Sequence, residues 1–384
     1  MNLRTGEEIN MQETIYKKLA EKFDMFVTGA PKKGGDFSPA FLKYLGMLFT
    51  PEEAQLAAFL SVAPHQMTAE EVAQRAGRPA GEVEQMLARL VEKGAVLGFG
   101  GQYMLPIIPI LVNHHPFRNT HDADTLKAGN LYEEYYIKDG FYKFYESSAA
   151  GTPYRRAVPV DQSIAAGQQV LSHEEIDAFL DQANMGVYAL APCPCRNRKE
   201  KLGTRECKDK FPVASCVFVG MFGLLMIGRG DAKQVSREEV KKYLDEMREL
   251  GLVMMTDNAK EMKDGVICVC CGCCCSITRG LTRWDNPKAF ARSNFVARVN
   301  DDCAACGTCV DRCMFNALSL GDGDNKVQID EDRCMGCGVC TVTCPTEALR
   351  LERLEREPIF EDSPEMYSTV SAENEAAGQK RPLA

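Results

Sequence analysis

Between Pro51 and Leu111 the apolar residues recur at helical spacing three times and then switch to alternation, which predicts helix, helix, helix and hairpin. A first helix follows Thr50 as N-cap and runs from Pro51 to Val62; Thr68 with Glu71 has capping-box spacing for a second. A third, from about Ala80 to Lys93, sets Val83, Met86, Leu87, Leu90 and Val91 on one stripe and stops at Gly94. Val96 to Phe99 and Gln102 to Leu105 then flank Gly100 and Gly101, the pattern of a two-residue hairpin turn. Further on, Ser236 and Glu239 open a helix that Gly251 closes. From Phe211 to Gly228 no residue is charged, and about 18 apolar residues is the lower limit for a membrane span. Pro212, Ser215, Cys216, Gly220 and Gly223 dilute that run and basic residues flank it, so a buried core helix or strand is expected rather than a span. After Glu357 the chain turns polar, which predicts a disordered tail.

The 384 residues, 45% hydrophobic, suffice for two or three domains with sizeable cores. The start MNLRTGEEIN has neither the basic start nor the apolar stretch of a signal peptide, so a reducing, cytoplasmic compartment is expected despite eighteen cysteines. The net charge of -9 suits an acidic protein that meets other proteins rather than nucleic acid. In element order, residues 41–112 resemble a winged helix-turn-helix domain. Its charge argues against DNA. Lys43, Arg75, Arg78, Arg89 and Lys93 face Glu52, Glu53, Glu70, Glu71, Glu82, Glu84 and Glu92, and Glu82 and Glu84 stand at the start of the third helix. The aromatic run LYEEYYIKDGFYKFYESS reads as core or interface, and His114, His115 and His121 as a solvated loop.

Between Cys303 and Cys344 one cysteine spacing is written twice, CAACGTCVDRC and CMGCGVCTVTC. Three thiolates at C-x2-C-x2-C spacing cap three corners of a cube, and a fourth Cys further on ligates the other half's cluster. On that rule Cys303, Cys306, Cys309 and Cys344 hold one 4Fe-4S cluster, and Cys334, Cys337, Cys340 and Cys313 hold a second. Ala317, Leu318 and Leu320 recur as Ala348, Leu349 and Leu351, which extends the repeat beyond the ligands. Zinc ribbons instead pair two C-x2-C knuckles across a longer gap. The segment from about 296 to 355 therefore resembles the bacterial-type two-cluster ferredoxins, with one departure: Pro345 follows Cys344, but Met314 follows Cys313.

The other ten cysteines fall in two groups: Cys193, Cys195, Cys207 and Cys216, then CVCCGCCC with Cys268, Cys270, Cys271, Cys273, Cys274 and Cys275. In the second group Cys268, Cys271 and Cys274 repeat the C-x2-C-x2-C spacing, and Cys270 with Cys273 makes a C-x2-C in the alternate register. The six serve one cluster with a missing ligand or two clusters sharing a loop, with the first group as donors of the missing ligands. So dense a run of thiols repels itself once ionised unless a metal takes up the charge. One or two further iron-sulfur clusters, or a zinc site, are expected here. The basic stretch RNRKEKLGTRECKDK reads either as a charge beside a cluster or as a solvated loop.

Taken together, winged helix, CPCR, CVCCGCCC and ferredoxin segment resemble a family of iron-sulfur proteins of anaerobic bacteria and archaea. The expected fold is α+β, in six stretches: 1–40 a helix and loop, 41–112 the winged helix, 113–190 an aromatic-rich connection, 191–295 a cysteine-rich middle domain, 296–356 the two-cluster domain and 357–384 the tail. The expected function is an electron-transfer protein, or such a subunit of an oxidoreductase complex, with a redox protein as partner. A redox-sensing transcriptional regulator, or an oxidoreductase with its catalytic cluster in the middle domain, is the alternative. No nucleotide-binding fingerprint is present, so electrons come from a protein. The charge balance of residues 41–112 predicts that the intact chain binds random duplex DNA feebly, with a shallow salt slope; anisotropy titrations at two salt concentrations check this, and steep salt dependence would refute it.

Overall fold

A computed structural model describes residues 6–118, 122–171, 174–284, 286–321, 323, 325–356 and 359–378. The architecture is α+β and divides into two compact units. One comprises residues 1–145 with 197–204 and 370–384; the other comprises 146–196 with 205–369. Residues 1–145 belong to the first unit, and the cysteine-rich and two-cluster segments belong to the second.

In the first unit Thr68 and Glu71 make the capping box of the helix Ala69–Ala76, and the helix Ala80–Lys93 buries Val83, Met86, Leu87 and Leu90. The first predicted helix is shorter than expected, Pro51–Ala57. Leu97–Phe99 and Gln102–Met104 pair antiparallel around Gly100 and Gly101, whose φ values of 58° and 77° only glycine adopts freely. Met67–Thr68 adds a third strand to this hairpin. The aromatic run is core: Tyr132, Tyr135, Tyr136 and Phe141 are all less than 2% exposed, and Tyr132 stacks on Tyr136 at 4.6 Å. The Arg198 guanidinium lies 3.5 Å from the Tyr132 ring centre, so this arginine of the basic stretch is buried and not a solvated one. His114 and His115 fall on the helix Ile108–Arg118 rather than in a loop; His121 lies outside the described residues.

The second unit is built on a six-stranded antiparallel sheet: β1 (Arg155–Val158), β2 (Tyr188–Pro192), β3 (Ser215–Val219), β4 (Lys233–Val235), β5 (Val253–Asp257) and β6 (Gly265–Cys270), in the order β1-β5-β6-β3-β2-β4. Side chains alternate between its faces. Tyr188, Val217, Val219, Ile267 and Val269 pack with Val240, Leu244 and Met247 of the helix Arg237–Leu250, which the Ser236–Glu239 capping box opens. Ala189, Ala191, Cys216, Phe218, Val266 and Cys268 pack on the opposite side with Met226 of the helix Gly220–Gly228. The uncharged run 211–228 is thus strand plus short helix, and among the described residues no helix is long and apolar enough to cross a membrane.

Carboxyl-terminal to the sheet, Phe295–Val299 and Leu349–Arg353 pair antiparallel, and Leu318–Ser319 pairs with Gln328–Ile329. Arg312 joins this module to the sheet domain: its Nη2 donates to the Arg248 and Glu249 carbonyls at 3.0 Å, at the carboxyl end of the helix Arg237–Leu250, and its Nε donates to Val339 O. The predicted disordered tail is corrected. Ser363–Ala376 is a helix that buries Met366 and Val370; Ser363 Oγ hydrogen-bonds Asp257, Asn374 Nδ2 donates to Val27 O, and Tyr367 packs on Tyr154. Its apolar anchors are spaced four apart within a polar run, too sparse to register as a periodic stripe.

Glu146 is fully buried in the second unit, accepting from Asn286 Nδ2 at 2.6 Å. Burial outweighs that bond and the charge of Arg279, and pushes the carboxyl up to about 9 from 4.5. The native state therefore keeps this proton between pH 4.5 and 9 while the unfolded chain releases it, so its contribution to stability is fully present below 4.5 and falls as pH rises through that window. Glu146→Gln is expected to stabilise the protein at pH 7 by roughly 3 kcal/mol, with the gain closing by pH 4.5. Anaerobic denaturant titrations across that range check it, and a pH-independent difference would refute it.

Candidate metal centres

In the carboxyl-terminal module the tight loops between cysteines bring each predicted set together. Cys313, Cys334, Cys337 and Cys340 line one apolar cavity with Val253, Met314 and Val339. Burial pushes Cys340 well up, Cys337 to about 12 and Cys313 up as well, so without a counter-charge these groups stay thiols. The Ala317 amide points at Cys313 Sγ at 3.4 Å. Four thiols in a dry cavity fit a cubane, whose iron supplies the positive charge that burial otherwise denies them. Cys303, Cys306, Cys309 and Cys344 form the other set, with the first, second and fourth raising the Cys309 thiol beyond what burial does, to about 11. This set is nearer to solvent. Cys306 is exposed, and the Thr308 hydroxyl and amide hold its thiol below the usual range. Burial opposes ionisation of Cys344, but amides of Leu349, Thr346 and Ala348 and the Thr346 hydroxyl hold it down.

Ser163 fixes the second loop: its hydroxyl donates to Gly338 O at 3.1 Å and accepts from Thr341. Ser293 Oγ donates to Gly336 O at 2.7 Å.

The ten middle cysteines also meet, but not in the groupings that their spacing suggests. Cys207, Cys271, Cys273 and Cys274 place their sulfurs within 4.8 Å of one another. The closest approaches are Cys273–Cys274 at 3.5 Å and Cys207–Cys274 and Cys271–Cys273, each at 3.8 Å. Cys268, expected beside Cys271 and Cys274, instead faces Cys216 and Cys270, because successive strand residues point to opposite faces. Cys193, Cys195 and Cys275 complete that side. In the four-thiol set Cys207, Cys273 and Cys274 lower Cys271 and are themselves raised by it. On the other side bonds from Cys216 and Cys270 lower Cys268 in the same way.

The loop is fastened by Thr278 Oγ1, which donates to Cys271 O at 2.6 Å, and by Thr282 Oγ1, which donates to Gly272 O at 2.6 Å. Gly272 abuts Met314: a Cβ there would stand 3.2 Å from Met314 Cβ. The residue in place of the usual proline is thus where the ferredoxin-like module touches the cysteine loop.

Arg196, hidden in the basic stretch, is 1% exposed. It donates to Val213 O and, at 2.8 Å, to Val269 O. Burial works against its charge, but Cys193, Cys271, Cys270 and Cys216 hold it on. Spacing gave no sign of Arg196 or Ser163; only the adjacency of Arg196 to Cys195 in CPCR hinted at the first.

Residues 299–348 match the 4Fe-4S dicluster domain family. The chain therefore carries an iron-sulfur ferredoxin-type domain, and the thiol groups upstream offer another metal site. Neither a curated protein nor a solved structure matches the chain at a significant level.

Gly336, within the CMGC loop, has φ +65°, and a Cβ there would stand 2.2 Å from Phe295 O. Gly336→Ala is expected to displace Cys334 and Cys337 and to cost about half of the module's iron; anaerobic iron analysis reads it, and full iron content would refute the stated role.

Proposed function

We propose that this protein is an iron-sulfur electron carrier, or the electron-transfer subunit of an oxidoreductase, in which three thiol sites stand in series. When bound, 4Fe-4S clusters supply one-electron transfer at the two ferredoxin-type sites. The observation that carries the reading is the contact between Met314 and Gly272. Cys313 and Cys271 are each one residue from it, about 3.8 Å along the chain. The set holding Cys306 opens to solvent, where a redox protein can dock, and the set holding Cys313 is interior. Cys309 and Cys340 feel each other's charge, which links the outer set to the inner one. The set holding Cys306 is nearer to solvent than the set holding Cys313, so electrons enter from the exposed side and pass inward.

Residues 41–112 carry a winged-helix order of elements and serve as a docking surface for protein rather than DNA. Glu82 and Glu84 are exposed on the helix Ala80–Lys93, and Arg78, the nearest cation, is paired with Glu52 and Glu82. The partner is a redox protein of a reducing, cytoplasmic compartment.

Protein purified without oxygen is expected to hold more than the about eight irons of two cubanes, with sulfide to match. Cys306→Ser and Cys337→Ser should each remove about four irons and spare the middle metal. About eight irons and no other metal would refute the middle site. Stoichiometric zinc there would refute an electron path into it, since zinc has no redox chemistry.

A further inference from the structure

The four-thiol set does not account for the middle cysteines, because six more lie outside it, and Cys193, Cys195, Cys216 and Cys268 of these pack on the opposite side of the sheet. The six close a ring. Cys193, Cys195, Cys216 and Cys268 pack in one cluster, Cys270 follows Cys268 by one strand period, and each thiol bears on the ionisation of the next, with Cys270 acting on Cys275 and Cys275 on Cys195. Backbone register builds it: β3 lies between β2 and β6, Ala191 pairs with Cys216, and Val217 pairs with Ile267. The next position along β6 from Ile267 is Cys268, opposite Cys216. Cys193 follows the end of β2, and its amide donates to Ala214 O at 2.9 Å, which sets it beside β3. Cys195 comes from the helix Pro194–Lys201, and Cys275 from the loop that also carries the other set.

A second observation points to a ligand. Arg196 Nη2 is buried and has no hydrogen-bond partner among the described residues, although its other nitrogens are engaged. The guanidinium acts on Cys193, Cys216 and Cys270 of the ring and on Cys271 of the four-thiol set. An unspent cationic donor beside a closed circle of thiols calls for an anionic occupant, and thiolates or sulfides of a cluster meet that need.

Six is also too many for a simple centre. A tetrahedral ion takes four thiolates, and so does a cubane. Six thiolates in a dry interior need several metal charges to offset them. We propose that the ten middle cysteines form two separate sites, and that the ring of Cys193, Cys195, Cys216, Cys268, Cys270 and Cys275 holds a polynuclear iron-sulfur centre distinct from the metal held by Cys207, Cys271, Cys273 and Cys274. This rests on the reading that the middle region binds metal. Iron with sulfide is preferred over other soft metals because the same chain already takes iron and sulfide into its dicluster domain.

The test uses the full chain, expressed and purified without oxygen, with iron, sulfide, zinc and copper quantified and electron paramagnetic resonance recorded after reduction. Cys216→Ser with Cys268→Ser disrupts the ring, Cys195→Ser removes its least buried type of member, and Cys207→Ser opens the four-thiol set. The expected result is that both ring variants lose iron and sulfide while keeping the metal that Cys207→Ser loses, and that Cys207→Ser keeps the ring's iron. The signals of the dicluster domain, unchanged in all three, report that the variants fold. If ring and Cys207 variants lose the same metal together, there is one shared site and the proposal falls. It falls also if the ring variants lose no metal, or lose zinc or copper instead of iron. Wild-type protein with only the dicluster iron would instead refute the underlying reading that the middle region binds metal.

Discussion

Burying a thiolate in an apolar interior is expensive, and this unit buries many cysteines around a single sheet. The arrangement that results is governed by that cost. Neighbouring thiols lower Cys271 on one face and Cys268 on the other, and Arg196 supplies a fixed positive charge to both sides. The strands then have to present sulfur rather than hydrocarbon at positions that face helices on each side. Stability and metal binding are for this reason one problem: the groups that fill the core are the groups that hold the ions.

Much of the ferredoxin-type module was legible beforehand because its ligand spacing is local. A loop of two residues between cysteines allows few geometries, and the cavity gathers Cys313 with Cys334, Cys337 and Cys340. Capping residues were equally readable: Thr68 with Glu71 and Ser236 with Glu239 act through bonds only three residues long. The middle cysteines were misleading for the complementary reason. C-x2-C-x2-C spacing implies a loop, but Cys268 and Cys270 lie in β6, where the period of two, not of three, decides which side a sulfur faces. Only the pairing of β3 with β6 sets Cys216 beside Cys268, and that pairing spans about fifty residues of sequence. The helix Ser363–Ala376 was missed because its buried anchors are sparse, and Arg196 because a cationic run suggests water and not a core.

The two compact units divide these tasks unevenly. Residues 1–145 are an aromatic and aliphatic core without a single cysteine, held by stacked tyrosines and by Arg198 over Tyr132. All eighteen cysteines belong to the other unit.

Arg312 has one more effect. It sits next to Cys313 in sequence, yet its guanidinium satisfies carbonyls at the end of a helix of the sheet domain and a carbonyl of the CMGC half. A residue that closes hydrogen bonds in both places ties their openings together. If the inner set holds a cluster, its loss would release Cys313 and with it the Arg312 hydrogen bonds that close the helix end before Gly251. The sheet domain and the dicluster domain should thus unfold as one cooperative block, and damage by oxygen at the exposed Cys306 end would spread inward rather than stay confined.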